Sequence, residues 1–144
     1  MPKQAGIEFA HLNANKYRGV ATFSTHDMAP MRLWWEENPE RTQRYYATML
    51  QKDGRAPLKM PAFIAEEVIA RHLYCPSMMC IMALQDWLAV DAGLHNPDTR
   101  AERINVPGSA FCGWSYRMHI DIERLVGDVK FNEKLKLMIT RSRR

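Results

Sequence analysis

The sequence predicts an α/β fold with a parallel sheet, and three observations predict it. Two apolar runs, "GVATFS" (Gly19 to Ser24) and "SMMCIMAL" (Ser77 to Leu84), lack the alternation of a half-exposed strand and read as strands covered on both faces. Each is followed by segments whose apolar residues recur at helical spacing, so the order is strand, helices, strand, helices. Two strands close nothing. With no internal repeat, low-complexity tract or domain boundary, residues 1–144 read as a single segment of a larger α/β architecture.

After the first run, Pro30 suits the first position of a helix that carries Met31, Leu33, Trp34 and Trp35. Asn38 and Pro39 restart the chain as a second helix, with Asn38 as cap and Tyr45, Tyr46, Met49 and Leu50 on its apolar face. The polar stretch from Gln51 to Lys59 is a connection. Pro61 then opens a third helix, where Ile64, Val68 and Ile69 share a face and which ends before Pro76.

Seven of the eight residues of "SMMCIMAL" are apolar, and Gln85, Asp86 and Trp87 follow at its end. From Asp91 to Gly113 there is no sustained period, which predicts a long loop with at most a turn of helix; loops of that length in compact domains tend to be functional. A short helix near Asp121 to Val126 stops at Gly127. Asp128 caps a last helix whose Phe131, Leu135 and Met138 share a face.

Composition narrows the class. A chain of 144 residues with 47% hydrophobic content can bury a core, so disorder is excluded. The net charge of +4 is interleaved with acids apart from Arg141, Arg143 and Arg144, which is no basic stripe for nucleic acid. No stretch reaches the roughly 18 to 20 apolar residues of a membrane span, and the first residues lack the apolar core of a signal peptide. A cytoplasmic protein is expected. The odd cysteine count (Cys75, Cys80, Cys112) suits reduced, buried thiols in that compartment. A zinc set would have to combine His72, Cys75 and Cys80, whose spacing is not that of a zinc knuckle, so no metal is expected.

The chemistry sits at strand ends, where a (β/α)8 barrel projects its catalytic residues, and both Asp27 and Asp86 follow apolar runs. Asp27 has two readings, a functional carboxylate or a helix cap. Placing Pro30 first in the helix puts the cap at Ala29 and leaves Asp27 two residues early. Taken alone, His26 reads as a hydrogen-bonded core residue rather than a ligand. Trp34 and Trp35 read as packing, and Glu36 and Glu37 as a solvated helix face. Trp114 and Tyr116 follow the long loop, and aromatic faces there are suited to stacking on sugar rings.

The motifs also carry a family resemblance. "STHDMAPMRLWWEE" resembles the Thr-His-Asp segment after the seventh barrel strand of the amylomaltases or disproportionating enzymes, the 4-α-glucanotransferases of glycoside hydrolase family 77. The following Trp-Trp-Glu matches the form found in bacterial and plant cytosolic relatives. "LQDWL", "ERINVPG" and "WSYRMH" resemble the region after the eighth strand, and the likeness runs from about Ile7 to Ile139.

The resemblance implies the carboxy-terminal part of a (β/α)8 barrel, about its last two βα units, from strand 7 to helix 8. It implies a retaining 4-α-glucanotransferase that moves α-1,4-glucan segments between maltodextrins without a cofactor. By the same resemblance Asp27 is the third active-site carboxylate, His26 hydrogen-bonds the same sugar and Asn105 lies in the loop beside the donor subsite, while Trp114 is a candidate substrate contact by its place after the long loop rather than by a family match. The family's nucleophilic aspartate and acid/base glutamate, which a retaining enzyme holds about 5 Å apart, have no match here. Where relatives carry Gly-Asn-Trp or His-Tyr-Trp, this chain reads "FCGWSYR". The expected partners are therefore glucan and either the missing amino-terminal part of the enzyme or a second copy. The alternative is a non-catalytic remnant that binds glucan or protein.

Overall fold

In the computed structural model, which describes residues 8–109 and 114–144, the two apolar runs pair as parallel strands and the helices pack beside them. Strand β1 is Val20–Ala21 and β2 is Met79–Cys80, with Val20 opposite Met79 and Ala21 opposite Cys80. Hydrogen bonds from Met78 N to Tyr17 O (2.7 Å) and from Ile81 N to Ala21 O (2.9 Å) extend the ladder at both ends. Both strands are shorter than the apolar runs. Beyond Ala21 the Thr22 hydroxyl turns back to Ser24 O at 2.7 Å, and Leu84 already begins helix α4.

Full cover of the second run is not found. Met78, Met79, Ile81 and Leu84 are 40–54% exposed, while Ser77 and Met82 are buried and Cys80 is half-buried against the core. The reason is geometric: a two-stranded ladder gives each strand one neighbour among the described residues.

The helices follow the sequence pattern except that the second ends at Thr48, so Met49 is its C-cap and Leu50, expected on its apolar face, is buried just beyond it. Helix α1 (Met31–Glu37) starts one residue later than Pro30 suggested, with Pro30 itself at the cap position. Helix α2 (Pro39–Thr48) is capped by Asn38, whose Oδ1 accepts the Arg41 N–H at 2.9 Å. Helix α3 (Ala62–Leu73) is the centre of the core: Ile64, Ala65, Val68 and Ile69 are fully buried. Around them pack Met31 and Trp35 from α1, Tyr45 from α2 and Leu88 from α4 (Leu84–Leu88). Phe131 closes the far side from α6 (Val129–Arg141), which follows the short α5 (Ile122–Gly127) and is capped by Asp128 through the Phe131 N–H.

His72 is wholly buried, with its Nδ1 hydrogen donated to Val68 O at 2.8 Å, and burial pushes its pKa down, so the ring is neutral. Cys75 is buried and Cys80 half-buried, its thiol pKa raised by burial; Cys112 lies outside the described residues. No group of three metal-ligating side chains occurs among the described residues. Nor is any helix among them long and apolar enough to cross a membrane.

Candidate functional site

The turn after β1 lifts Thr25, His26 and Asp27 out of the core, closed by Met28 N on Thr25 O at 3.0 Å. His26 is therefore no core residue: its side chain is 53% exposed and Asp27 is 50% exposed. A loop has no apolar face to bury, so the average behaviour of histidine does not apply to this one. His26 Nε2 stands 3.3 Å from Asp27 Oδ2. On the other carboxylate oxygen, Asn105 Nδ2 donates to Asp27 Oδ1 at 2.7 Å. Trp114 brings its ring to 4.8 Å from the His26 ring, inclined at 41°. The backbone of Trp114 sits at φ +46°, a left-handed conformation that costs a non-glycine residue energy.

Four residues from three separate parts of the chain thus meet at one open surface. A carboxylate, a primary amide, an imidazole and an exposed indole face are the groups that hold a sugar: acceptors and donors for its hydroxyls, and a π-face for its ring. Asn105 occupies one lone pair of Asp27 Oδ1, which fixes the carboxylate and leaves the rest of its acceptor capacity free.

Asp86 is not part of this cluster. It is fully buried on α4, accepting the Ser24 hydroxyl at 2.5 Å and the Met31 N–H at 2.7 Å; burial raises its pKa and these two bonds oppose the rise. Tyr116 is half-buried with its hydroxyl turned inward and unpartnered among the described residues, so its face is not offered as Trp114's is. Trp34 and Trp35 pack as expected: Trp35 is 1% exposed and donates to Pro57 O, while Trp34 meets Phe9, Phe23 and Tyr45 edge to face.

Both glutamates of α1 hold partners in the long loop, but only Glu36 is drawn partly inside; Glu37 stays exposed, as expected of a solvated face. Glu36 Oε2 accepts from Thr99 Oγ1 at 2.8 Å, and Glu37 pairs with Arg103 at 2.8 Å, so this face of the helix carries the long loop. Behind them lies a buried pair that sequence reasoning passed over: Arg32 of α1 stands 3.3 Å from Glu102, in a 3-10 turn at Arg100–Glu102. A signal existed. An arginine inside the apolar stretch "MRLWW" must find a buried counter-charge or a set of acceptors.

The chain matches the family model described as 4-alpha-glucanotransferase over residues 1–122. It is 31% identical over its whole length to the 4-alpha-glucanotransferase DPE2 of Oryza sativa subsp. japonica, of which it covers 15%. Against the 4-alpha-glucanotransferase of Chlamydia muridarum it is 31% identical over 81% of the chain and 22% of the relative. The Chlamydia trachomatis protein of the same name is 29% identical over 83% of the chain, again 22% of the relative. The chain therefore spans 15% to 22% of the length of these relatives.

Proposed function

The chain belongs to the 4-alpha-glucanotransferase family, and we propose that it is the portion of such an enzyme that supplies the third active-site carboxylate, Asp27. It forms the last two βα units of a (β/α)8 barrel, from strand 7 to helix 8, and residues 1–144 act as one segment of it. The observation that carries this reading is the hydrogen bond of Asn105 to Asp27, made beside His26 and Trp114 on a surface that is otherwise open.

The reaction runs by double displacement. The nucleophile and the acid/base carboxyl come from the rest of the enzyme and flank the scissile bond at about 5 Å. The α-1,4 bond of a donor maltodextrin breaks as the nucleophile's carboxylate bonds to the anomeric carbon and the acid protonates the departing oxygen. The same group then removes the proton of an acceptor 4-hydroxyl, whose oxygen displaces the nucleophile. Asp27 holds sugar hydroxyls and places negative charge beside the oxocarbenium-like transition state; His26 and Asn105 bind the same region and Trp114 stacks on a ring. No cofactor or metal takes part, and the enzyme works in the cytoplasm on glucan.

The test is Asp27→Asn in the complete enzyme. Loss of one preorganised electrostatic group should lower kcat for maltotriose disproportionation by at least about 100-fold with unchanged thermal unfolding. A rate near that of the unaltered enzyme would overturn the assignment.

A further inference from the structure

A single exposed hydrogen bond such as that between Asn105 and Asp27 is too small a contribution to order a long loop by itself. Something else must seat the loop. The seat is on α1, which begins four residues after Asp27: Thr99 and Arg103 are held by Glu36 and Glu37, and Arg103 Nε in turn donates to Asn105 O at 3.1 Å. Between those two contacts lies Glu102, 1% exposed. Its Oε1 takes both the Arg32 guanidinium and the Asn96 N–H at 3.3 Å, while its carbonyl accepts from Gln85 of α4 at 3.1 Å. Arg32 also donates to Asn96 O at 2.5 Å. Glu102 is thus tied at once to α1, to α4 and to the loop's own start.

A buried ion pair is weak evidence of stabilisation, because removing two charges from water offsets much of their attraction. This pair is not even saturated: Glu102 Oε2 and Arg32 Nε have no partner among the described residues. Placement is the better account of why it is there. We propose that Glu102 is a positioning residue for glucan transfer, seating residues 96–105 on α1 so that Asn105 reaches Asp27. This rests on Asp27 being the active-site carboxylate.

A double-mutant cycle in the complete enzyme, assayed with maltotriose above neutral pH, tests it. Asn105→Ala should lower kcat/KM about 10-fold and Glu102→Ala by a similar factor, with the two together no worse than Asn105→Ala alone. Glu102→Gln keeps the volume and one acceptor oxygen but loses the charge opposite Arg32; it should cost about 3-fold, again only when Asn105 is present. If Glu102→Ala does not fold, the Gln variant carries the cycle by itself. Losses that multiply in the Asn105→Ala background, or no loss from Glu102→Gln or from Asn105→Ala, would overturn the proposal. Asp27→Asn run in parallel separates the two failures: if that variant stays active the functional reading falls, and if it is inactive while the cycle is additive only the role of Glu102 falls.

Discussion

The carboxylate of Asp86 accepts the backbone N–H of Met31 at 2.7 Å, so the first turn of α1 is capped by a side chain from a helix 55 residues further on. Pro30 at the cap position has no side-chain acceptor to offer, and Asp86 replaces it while also holding the Ser24 hydroxyl. Asp86→Ala leaves both donors buried and unpaired, which should cost about 2 to 4 kcal/mol. Asp86→Asn still accepts from Met31 and should cost less. Urea unfolding of the complete enzyme measures both, and Asp86→Asn should keep more than about a tenth of the transferase activity, since it touches no substrate. Inactivation of a well-folded Asp86→Asn enzyme would return this residue to the reacting set.

Glu102 gives the stability an unusual dependence on pH. Burial lifts its carboxyl from the usual 4.5 to about 7, with Arg32 opposing the rise and Asp86 adding to it. The fold therefore holds a proton that the unfolded chain releases. That contribution is complete below about pH 4.5 and is lost as pH rises through about 7. Relative to Glu102→Gln, the unaltered protein should lose stability across this window and run parallel to the variant above it. Urea midpoints at several pH values would show this; parallel curves throughout the window would contradict it.

His72 produces the opposite slope. Its ring is held neutral in the core with its pKa below the ordinary 6.5, so the unfolded chain takes up a proton before the fold does. Stability from this group is present above about pH 6.5 and is lost as pH falls through the depressed value. His72→Leu should flatten the acid limb of the unfolding midpoint against pH. An unchanged acid limb in that variant would mean that other groups set it.

What was legible in the sequence was local. Asn38 and Asp128 cap helices because the N–H groups they accept lie three residues on, and the apolar face of α3 follows from spacing within one helix. Strand length was not legible, because a strand extends only as far as a neighbour pairs with it, and apolarity does not report the neighbour. The same limit hid the engagement of Glu36: Thr99 is 63 residues away, and on α1 alone a glutamate beside another reads as solvated. Motif likeness and loop position point to Asp27, Asn105 and Trp114 only one by one. Their meeting, across 78 residues in the case of Asp27 and Asn105, is a property of the tertiary structure.

The exposed faces of the two strands lead to the last prediction. Val20, Met78, Met79 and Ile81 are 45–55% exposed on a ladder of two strands, and among the described residues neither strand has a second neighbouring strand on its outer edge. Full burial of a large apolar side chain is worth about 1.5 to 3 kcal/mol, so leaving four of them half uncovered forfeits an amount comparable with part of a domain's whole stability of about 5 to 15 kcal/mol. Association is the available remedy, since it covers the apolar faces and pairs the edges together. The chain on its own should therefore be oligomeric or aggregation-prone and have no transferase activity. Within the complete enzyme the same residues should be covered by neighbouring strands. Sedimentation at micromolar concentration, run beside a maltotriose assay, decides the matter: a cooperative, active monomer would show that this segment needs neither a second copy nor the rest of a barrel.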